Sequence, residues 1–107
     1  MAARALINVP KTAKRGQVIE IKTLISHVME TGYRHSTTGE SIPRDIITSM
    51  SCKYNGEQIF ETTLYPAIAA NPFVTFHTVA TESGTLTFTW IGDNGLSVTE
   101  EAKIVVS

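Results

Sequence analysis

Alternation of apolar and polar side chains in residues 85–90 is the feature that most constrains how this chain can fold. Leu86, Phe88 and Trp90 occupy every second position, and threonine occupies the positions between them. A period of two is typical of a β-strand with one buried face. Phe88 and Trp90 together offer about 300 to 500 Å² of surface for burial, so we expect this strand to seed the core.

A second strand is expected to return antiparallel to the first. Residues 92–95 read Gly-Asp-Asn-Gly, which tolerates positive φ, and apolar alternation resumes in residues 96–106. These features predict a closing hairpin. Glu100 interrupts the apolar parity of the returning strand, which indicates either a β-bulge or a solvated strand end.

The remaining sequence predicts further short strands and no helix. Asn55-Gly56 is the strongest hairpin signal, and no helical period of useful length is present. The predicted strands are residues 5–9, 18–25, 46–54, 57–64, 73–80, 85–90 and 96–106. Seven strands separated by turn signals predict an all-β fold, an immunoglobulin-like β-sandwich of about seven antiparallel strands. At 107 residues the chain is expected to form a single domain, residues 1–107.

Two irregular stretches are the candidate binding segments. Residues 26–44 lose all periodicity and predict a long loop, which is often functional, although a mobile excursion without a role is the alternative. Within it, residues 27–34 include a Tyr, a Met and an Arg, types enriched at interface cores. Residues 65–73 form a second loop, restrained by proline. A purely structural role at the end of the sandwich is the alternative for both loops. Separately, we expect the basic segment 11–16 to be a turn.

Charge and hydropathy disfavour two classes of partner. Nine basic and ten acidic residues give a formal net charge of -1, with no cluster of like charge. Nucleic-acid and anionic-membrane binding usually require clustered Lys and Arg. The longest apolar stretch, around residues 67–70, is far shorter than the roughly 18 to 20 residues that span a bilayer. We therefore expect a soluble protein that binds neither nucleic acid nor membrane.

Histidine and cysteine are the candidate ligands for a metal or redox site. His27, His35, His77 and Cys52 are the borderline or soft ligands, and none lies at the short paired spacing of a zinc site. An iron site of the superoxide-reductase type also occurs on an immunoglobulin-like fold, but it needs four histidines and a cysteine. We therefore expect no metal. The alternative function is a small β-sandwich metal or redox protein that uses His27, His77 and Cys52.

Two further interpretations concern the thiol and the surface. Cys52 shares its strand parity with apolar residues, so core packing is its simplest interpretation, and an exposed thiol for an intermolecular disulfide is the alternative. No Gly-x-Ser-x-Gly elbow or phosphate-binding glycine loop is present. A carbohydrate-binding or adhesion sandwich would need a row of exposed aromatics, and aromatic residues make up only 7% of the chain.

Several ordered blocks of this sequence resemble the SoxZ family of sulfur-oxidation proteins. The blocks are residues 22–27 (Lys-Thr-Leu-Ile-Ser-His), 29–32 (Met-Glu-Thr-Gly), 42–44 (Ile-Pro-Arg), 55–56 (Asn-Gly), 70–72 (Ala-Asn-Pro) and 82–90 (from Glu-Ser-Gly to Phe-Thr-Trp). The resemblance runs nearly the whole length of the chain. It implies a non-enzymatic immunoglobulin-like subunit without cofactors, bound tightly to SoxY in the SoxYZ thiosulfate-oxidation carrier.

The resemblance also implies how such a subunit acts. In that family SoxY carries the reactive cysteine on a flexible glycine-rich arm, and the partner subunit helps to present this arm to SoxAX, SoxB and SoxCD. Residues 104–107 continue a strand and contain no such arm. We therefore expect Cys52 not to be the sulfur carrier, and an inter-subunit thiol at this position is the alternative. The expected partner contacts are His27, Met29, Arg34, Tyr65, Asn71 and Pro72.

The resemblance changes the expected compartment. The first residues pass directly into a strand-like segment without an apolar export signal or paired arginines, which on its own favours the cytoplasm. Proteins of the SoxZ family are exported folded, in complex with SoxY, whose twin-arginine signal serves both subunits. We therefore expect this chain in the periplasm.

Overall fold

Short alternating segments pair into two stacked sheets. A computed structural model describes residues 4–33, 35–65, 68 and 70–107. Its strands are β1 (Ala5–Asn8), β2 (Thr12–Ala13), β3 (Val18–Ile25), β4 (Ile47–Tyr54), β5 (Glu57–Thr63), β6 (Phe73–Val79), β7 (Gly84–Gly92) and β8 (Ser97–Val106), and a 3-10 turn spans Asp93–Gly95. The predicted all-β sandwich is confirmed.

The two sheets differ in size. A three-stranded sheet has the order β1-β3-β6, and a five-stranded sheet has the order β2-β8-β7-β4-β5. Neighbouring strands are antiparallel except β2, which pairs parallel to β8. β2 lies in the segment that the sequence predicted as a turn. It is only two residues long, too short to produce a recognisable alternation.

The hydrophobic core lies between the sheets, as the alternation predicts. Ile19 and Ile21 point inward from β3, and Phe88 and Trp90 point inward from β7 at 1% exposure or less. Thr23 is the polar member of this layer, and its hydroxyl donates to the Val74 carbonyl at 3.0 Å. Inward threonine is tolerated here because its hydroxyl has a partner.

The β7–β8 hairpin settles the question about Glu100. The register runs unbroken from Gly84 opposite Ile104 to Ile91 opposite Ser97. Glu100 lies opposite Phe88, yet its side chain is exposed. Because three strands about 4.8 Å apart cannot cover five, part of the inner face of the larger sheet stays solvated. The bulge is therefore wrong, and Glu100 is solvated as the alternative required, although it lies within β8 rather than at a strand end.

The β4–β5 hairpin confirms its turn and adds a bulge. Asn55 and Gly56 have φ of 50° and 86°, the conformation that a two-residue type I′ turn requires. The register shifts between Cys52 and Lys53, so β5 carries an extra residue there. Nothing helical in residues 4–33, 35–65, 68 and 70–107 has the length and hydropathy that a bilayer crossing demands.

Candidate partner-binding surface

Two long connections leave the same end of the sandwich. The segment 26–46 follows β3 and the segment 64–72 precedes β6, and these strands pair antiparallel with Leu24 opposite Phe73. The Ile25 N–H donates to the Pro72 carbonyl at 3.2 Å, which continues the ladder past the last paired residues. Pro72 is itself buried. The sheet register therefore places both predicted binding loops side by side.

Asn71 and His27 join these two loops through one backbone hydrogen bond and one to the Asn71 side chain. The Asn71 N–H donates to the His27 carbonyl at 2.7 Å, and the His27 N–H donates to the Asn71 side-chain oxygen at 3.0 Å. Asn71 has a φ of 55°, a left-handed conformation that asparagine tolerates better than most residues. This pair fixes the relative position of the loops.

The His27 imidazole lies inside its loop rather than on the surface. Its side chain is 9% exposed, Nδ1 accepts a hydrogen bond from the Met29 N–H at 2.9 Å, and Nε2 lies 3.7 Å from Asp45 Oδ1. An acceptor at Nδ1 places the proton of the neutral ring at Nε2, toward Asp45. In this arrangement His27 organises the loop.

Met29 is a core residue and not a surface contact. It is 4% exposed, and its sulfur accepts a hydrogen bond from the Ile47 N–H at 3.2 Å. Its φ of 52° is unusual for a residue with a long side chain. Two backbone hydrogen bonds of 2.8 Å between Glu30 and Asp45 close the loop around it. Met29 therefore anchors the loop, and its predicted role as a partner contact does not fit this burial.

An ion pair that the sequence analysis missed ties the same loop to the β7–β8 turn. Arg44 Nε and Nη2 donate to the two carboxylate oxygens of Asp93, each at 2.9 Å. Asp93 also accepts from the Ile46 N–H at 3.2 Å. These hydrogen bonds, first that from Arg44 and then that from Ile46, lower the pKa of Asp93 below its ordinary value of 3.8. The sequence offered only a turn signal at Asp93.

Large apolar side chains project into water from the loops at this end. We name four of them the loop-end surface, which consists of Val28, Tyr33, Tyr65 and Ile68. Tyr33 is 79% exposed and Tyr65 is 64% exposed. Tyr65 is thus accessible to a partner, its predicted contact stays a prediction, and Arg34 lies outside the described residues. Of the six predicted contacts, the structure joins His27 to Asn71 by hydrogen bonds, and Pro72 bonds to Ile25 beside them.

Cys52 is buried in β4 and its sulfur is fully covered. Burial raises the pKa of the Cys52 thiol from 9.0 to about 12, so the thiol is protonated at neutral pH. Core packing is therefore the interpretation that fits. An inter-subunit thiol at Cys52 stays an untested prediction, and it would require β4 to expose a residue that the folded chain covers.

The alternative site of His27, His77 and Cys52 is not assembled. His77 points outward from β6, with Nε2 3.4 Å from Glu20 Oε2. Cys52 lies inside the sandwich, and His27 lies in a loop at the end. No group of three or more His, Cys, Asp or Glu side chains within the described residues could hold a metal ion.

Comparison with known folds and families places this arrangement in context. A superoxide reductase (neelaredoxin) from Ignicoccus hospitalis superposes with a TM-score of 0.75 at 17% identity, over 96% of this chain and 80% of that one. The sulfur carrier protein SoxY from Chlorobium limicola f. thiosulfatophilum superposes with a TM-score of 0.67 at 12% identity, over 96% and 78%. A CARDB domain from Pyrococcus furiosus gives 0.58 at 13%, over 98% and 94%. At such identities these likenesses concern the fold alone, and they agree with the immunoglobulin-like prediction.

Sequence comparison identifies the family. No curated protein matches the chain. The family model described as sulphur oxidation protein SoxZ matches residues 7–103, which include β2 to β7 whole and most of β8. The chain therefore belongs to the SoxZ family and has a role in the Sox sulfur-oxidation system.

Proposed function

We propose that this chain is the scaffold subunit of a SoxYZ heterodimer in thiosulfate oxidation. It binds SoxY tightly, supports the SoxY cysteine arm, and helps to present that arm to SoxAX, SoxB and SoxCD. The observation that carries this proposal is the match to the SoxZ family over residues 7–103. Chemistry on the carrier sulfur is assigned to the partner enzymes, and this subunit contributes shape.

The state of the one cysteine supports a role without covalent chemistry. A sulfur carrier needs a thiol that is accessible and readily ionised, because the thiolate is the reactive form. Cys52 is covered by the core, and burial raises its pKa to about 12. The thiol therefore has the properties of a packing residue.

The loop-end surface supports a binding role. Val28 and Tyr33 are 72% and 79% exposed although they belong to a loop that is hydrogen-bonded at several points. A fixed loop that holds apolar side chains in water is preorganised to bind, because little conformational entropy remains to be lost. We expect the two subunits to share a large interface, because a complex that is exported in the folded state must stay together during transport. We accordingly propose that the chain functions in the periplasm and is exported together with SoxY.

Co-expression with the SoxY protein of the same organism tests the proposal. We expect the two chains to purify together as a stable one-to-one heterodimer through size exclusion at low concentration. If both chains are folded and this chain purifies without SoxY or any SoxY fragment, the proposal is contradicted. Fractionation of cells that produce both proteins tests the compartment, and this chain is expected in the periplasmic fraction only when SoxY retains its export signal.

A further inference from the structure

A row of apolar side chains crosses the outer face of the three-stranded sheet. Leu6 lies opposite Leu24 in the β1–β3 register, and Leu24 lies opposite Phe73 in the β3–β6 register. Directly paired residues project on the same side of a sheet. Leu6 and Phe73 are each 62% exposed. We name Leu6, Leu24 and Phe73 the sheet row.

The sheet row continues into the loop-end surface. Phe73 directly follows the loop that carries Tyr65, and Leu24 stands just before the loop that carries Val28. The hydrogen bond from the Ile25 N–H to the Pro72 carbonyl holds the roots of both loops against each other. The loops that carry the loop-end surface therefore begin at the edge of the sheet where the sheet row lies.

A charged strip bounds this surface on the sheet. Glu20 lies 3.3 Å from Lys22 Nζ and 3.4 Å from His77 Nε2, so three charged or titratable side chains form a band across β3 and β6. Beyond the band, Val18 and Val79 form a second apolar pair on the same face, 63% and 44% exposed. The band separates this pair from the sheet row.

The size of the surface fits a protein partner. Its side chains expose roughly 700 Å² if a fully exposed aromatic offers 150 to 250 Å². That sum approaches the ~800 Å² that each partner buries in a stable complex. The hollow beside Leu6, Lys22 and Phe73 measures about 200 Å³, and small-molecule pockets are usually about 300 Å³ or larger.

We infer that SoxY covers the sheet row and the loop-end surface together, with Phe73 and Tyr65 as central anchors. The inference rests on the proposed function, which supplies the partner. SoxY of Chlorobium limicola shares this fold, and two such sandwiches can pack through sheet faces whose projecting side chains interdigitate. Phe73 is held in β6 opposite Leu24, and the Tyr65 carbonyl accepts a hydrogen bond from the Ile68 N–H at 2.9 Å.

Two double variants of the full chain test this surface. Leu6→Ala with Phe73→Ala removes the exposed ends of the sheet row, and Val18→Ala with Val79→Ala removes the matched pair beyond the charged strip. Both sets lie on exposed positions of the same sheet, so thermal unfolding should show folded proteins. In a titration with SoxY we expect the first variant to raise the Kd at least tenfold and the second to change it less than twofold.

The outcomes separate this inference from the proposed function. Native binding that survives the Leu6 and Phe73 double variant, or that is lost in the Val18 and Val79 variant instead, overturns the inference and leaves the heterodimer intact. If the native chain does not bind SoxY, both the inference and the proposed function are overturned. Tyr65→Ala provides an independent variant in a loop, with the same expected direction. If sedimentation shows that the native chain pairs with itself through Phe73 and that SoxY does not compete, the surface belongs to a second copy and the inference is wrong.

Discussion

The Arg44 guanidinium donates two hydrogen bonds of 2.9 Å to the carboxylate of Asp93, which lies 49 positions later in the sequence. The pair fastens the long loop after β3 to the turn between β7 and β8. Asp93 is also bonded to Ile46 in both directions, since its N–H donates to the Ile46 carbonyl and its carboxylate accepts from the Ile46 N–H. One turn residue thus defines where the loop ends and β4 begins.

Acid should weaken the Arg44–Asp93 ion pair by protonating the Asp93 carboxylate. Its pKa in the folded chain lies below the ordinary value of 3.8, chiefly because of the Arg44 hydrogen bond. The stabilisation is therefore present above the ordinary pKa and is lost as pH falls through the lowered value. We expect the melting temperature of Asp93→Asn to be lower than that of the native chain at neutral pH, and the difference to shrink below about pH 4.

A matched variant controls for general acid effects. Glu101 is an exposed carboxylate on β8, so Glu101→Gln should leave the pH profile of the melting temperature close to that of the native chain. A constant difference between Asp93→Asn and the native chain at all pH values would show that the carboxylate charge is not what stabilises the loop.

Asn71 should contribute both to stability and to SoxY binding. Asn71→Ala removes the acceptor for the His27 N–H and places alanine at a φ of 55°. A lost hydrogen bond and a strained backbone together predict about 1 to 3 kcal/mol of destabilisation in chemical denaturation. SoxY affinity should fall as well, because the loops lose their fixed relative position. Asn71→Asp keeps the oxygen acceptor, and it should behave much more like the native chain.

The Cys52 thiol should resist alkylation in the folded protein. Its pKa of about 12 leaves almost no thiolate near pH 8, and the core covers the sulfur. We expect iodoacetamide to modify it only as fast as the chain unfolds, and rapidly in urea. Lys53→Cys in a Cys52→Ala background places a thiol on the next, exposed position of β4 and should react quickly. Equal rates for the two folded proteins would refute the buried assignment.

The same burial predicts a loss of stability in alkaline solution. Because the folded pKa of Cys52 is raised, its contribution is complete below the ordinary value of 9.0 and is lost as pH rises toward about 12. The free energy of unfolding of the native chain should fall over this range more steeply than that of Cys52→Ala. Parallel profiles would mean that the thiol titrates normally in the folded state.

We expect position 84 to require glycine, because the Asn55 side chain occupies the space that a Cβ atom would need. A Cβ atom at Gly84 would lie 1.8 Å from Asn55 Oδ1, which accepts a hydrogen bond from the Thr85 N–H at 2.9 Å. Gly84→Ala must displace this amide and should destabilise the chain by about 1 to 3 kcal/mol. Asn55→Gly tolerates the φ of 50° and empties the space, so the double variant should lose less than the sum of the two single variants.

Strand alternation was sufficient to predict most of the fold. β3 begins and ends at the residues that its alternation predicted, and the Asn55-Gly56 turn was found from two residues. β4 was harder, because Ile46 and Ile47 are both buried where the strand enters with an irregular register. A period-two pattern contains no signal for such a shift.

The candidate site was only partly predictable, because its contacts join segments far apart in sequence. Residue type indicated that the two loops could bind, and the exposure of Tyr65 is compatible with that prediction. The same reasoning gave Met29 a surface role, although its backbone conformation turns the side chain into the core. The pairing of Arg44 with Asp93 depends on how the sheets bring the loop to the turn, which neither residue's local sequence records.

The central claim is that this chain supports a carrier without carrying sulfur itself. Intact-mass spectrometry of the purified complex with SoxY, after incubation with thiosulfate and the Sox enzymes, tests it most directly. We predict sulfur adducts on SoxY and an unmodified mass for this chain, whose thiol is buried. A sulfur adduct on Cys52 that forms and disappears during turnover would contradict the account.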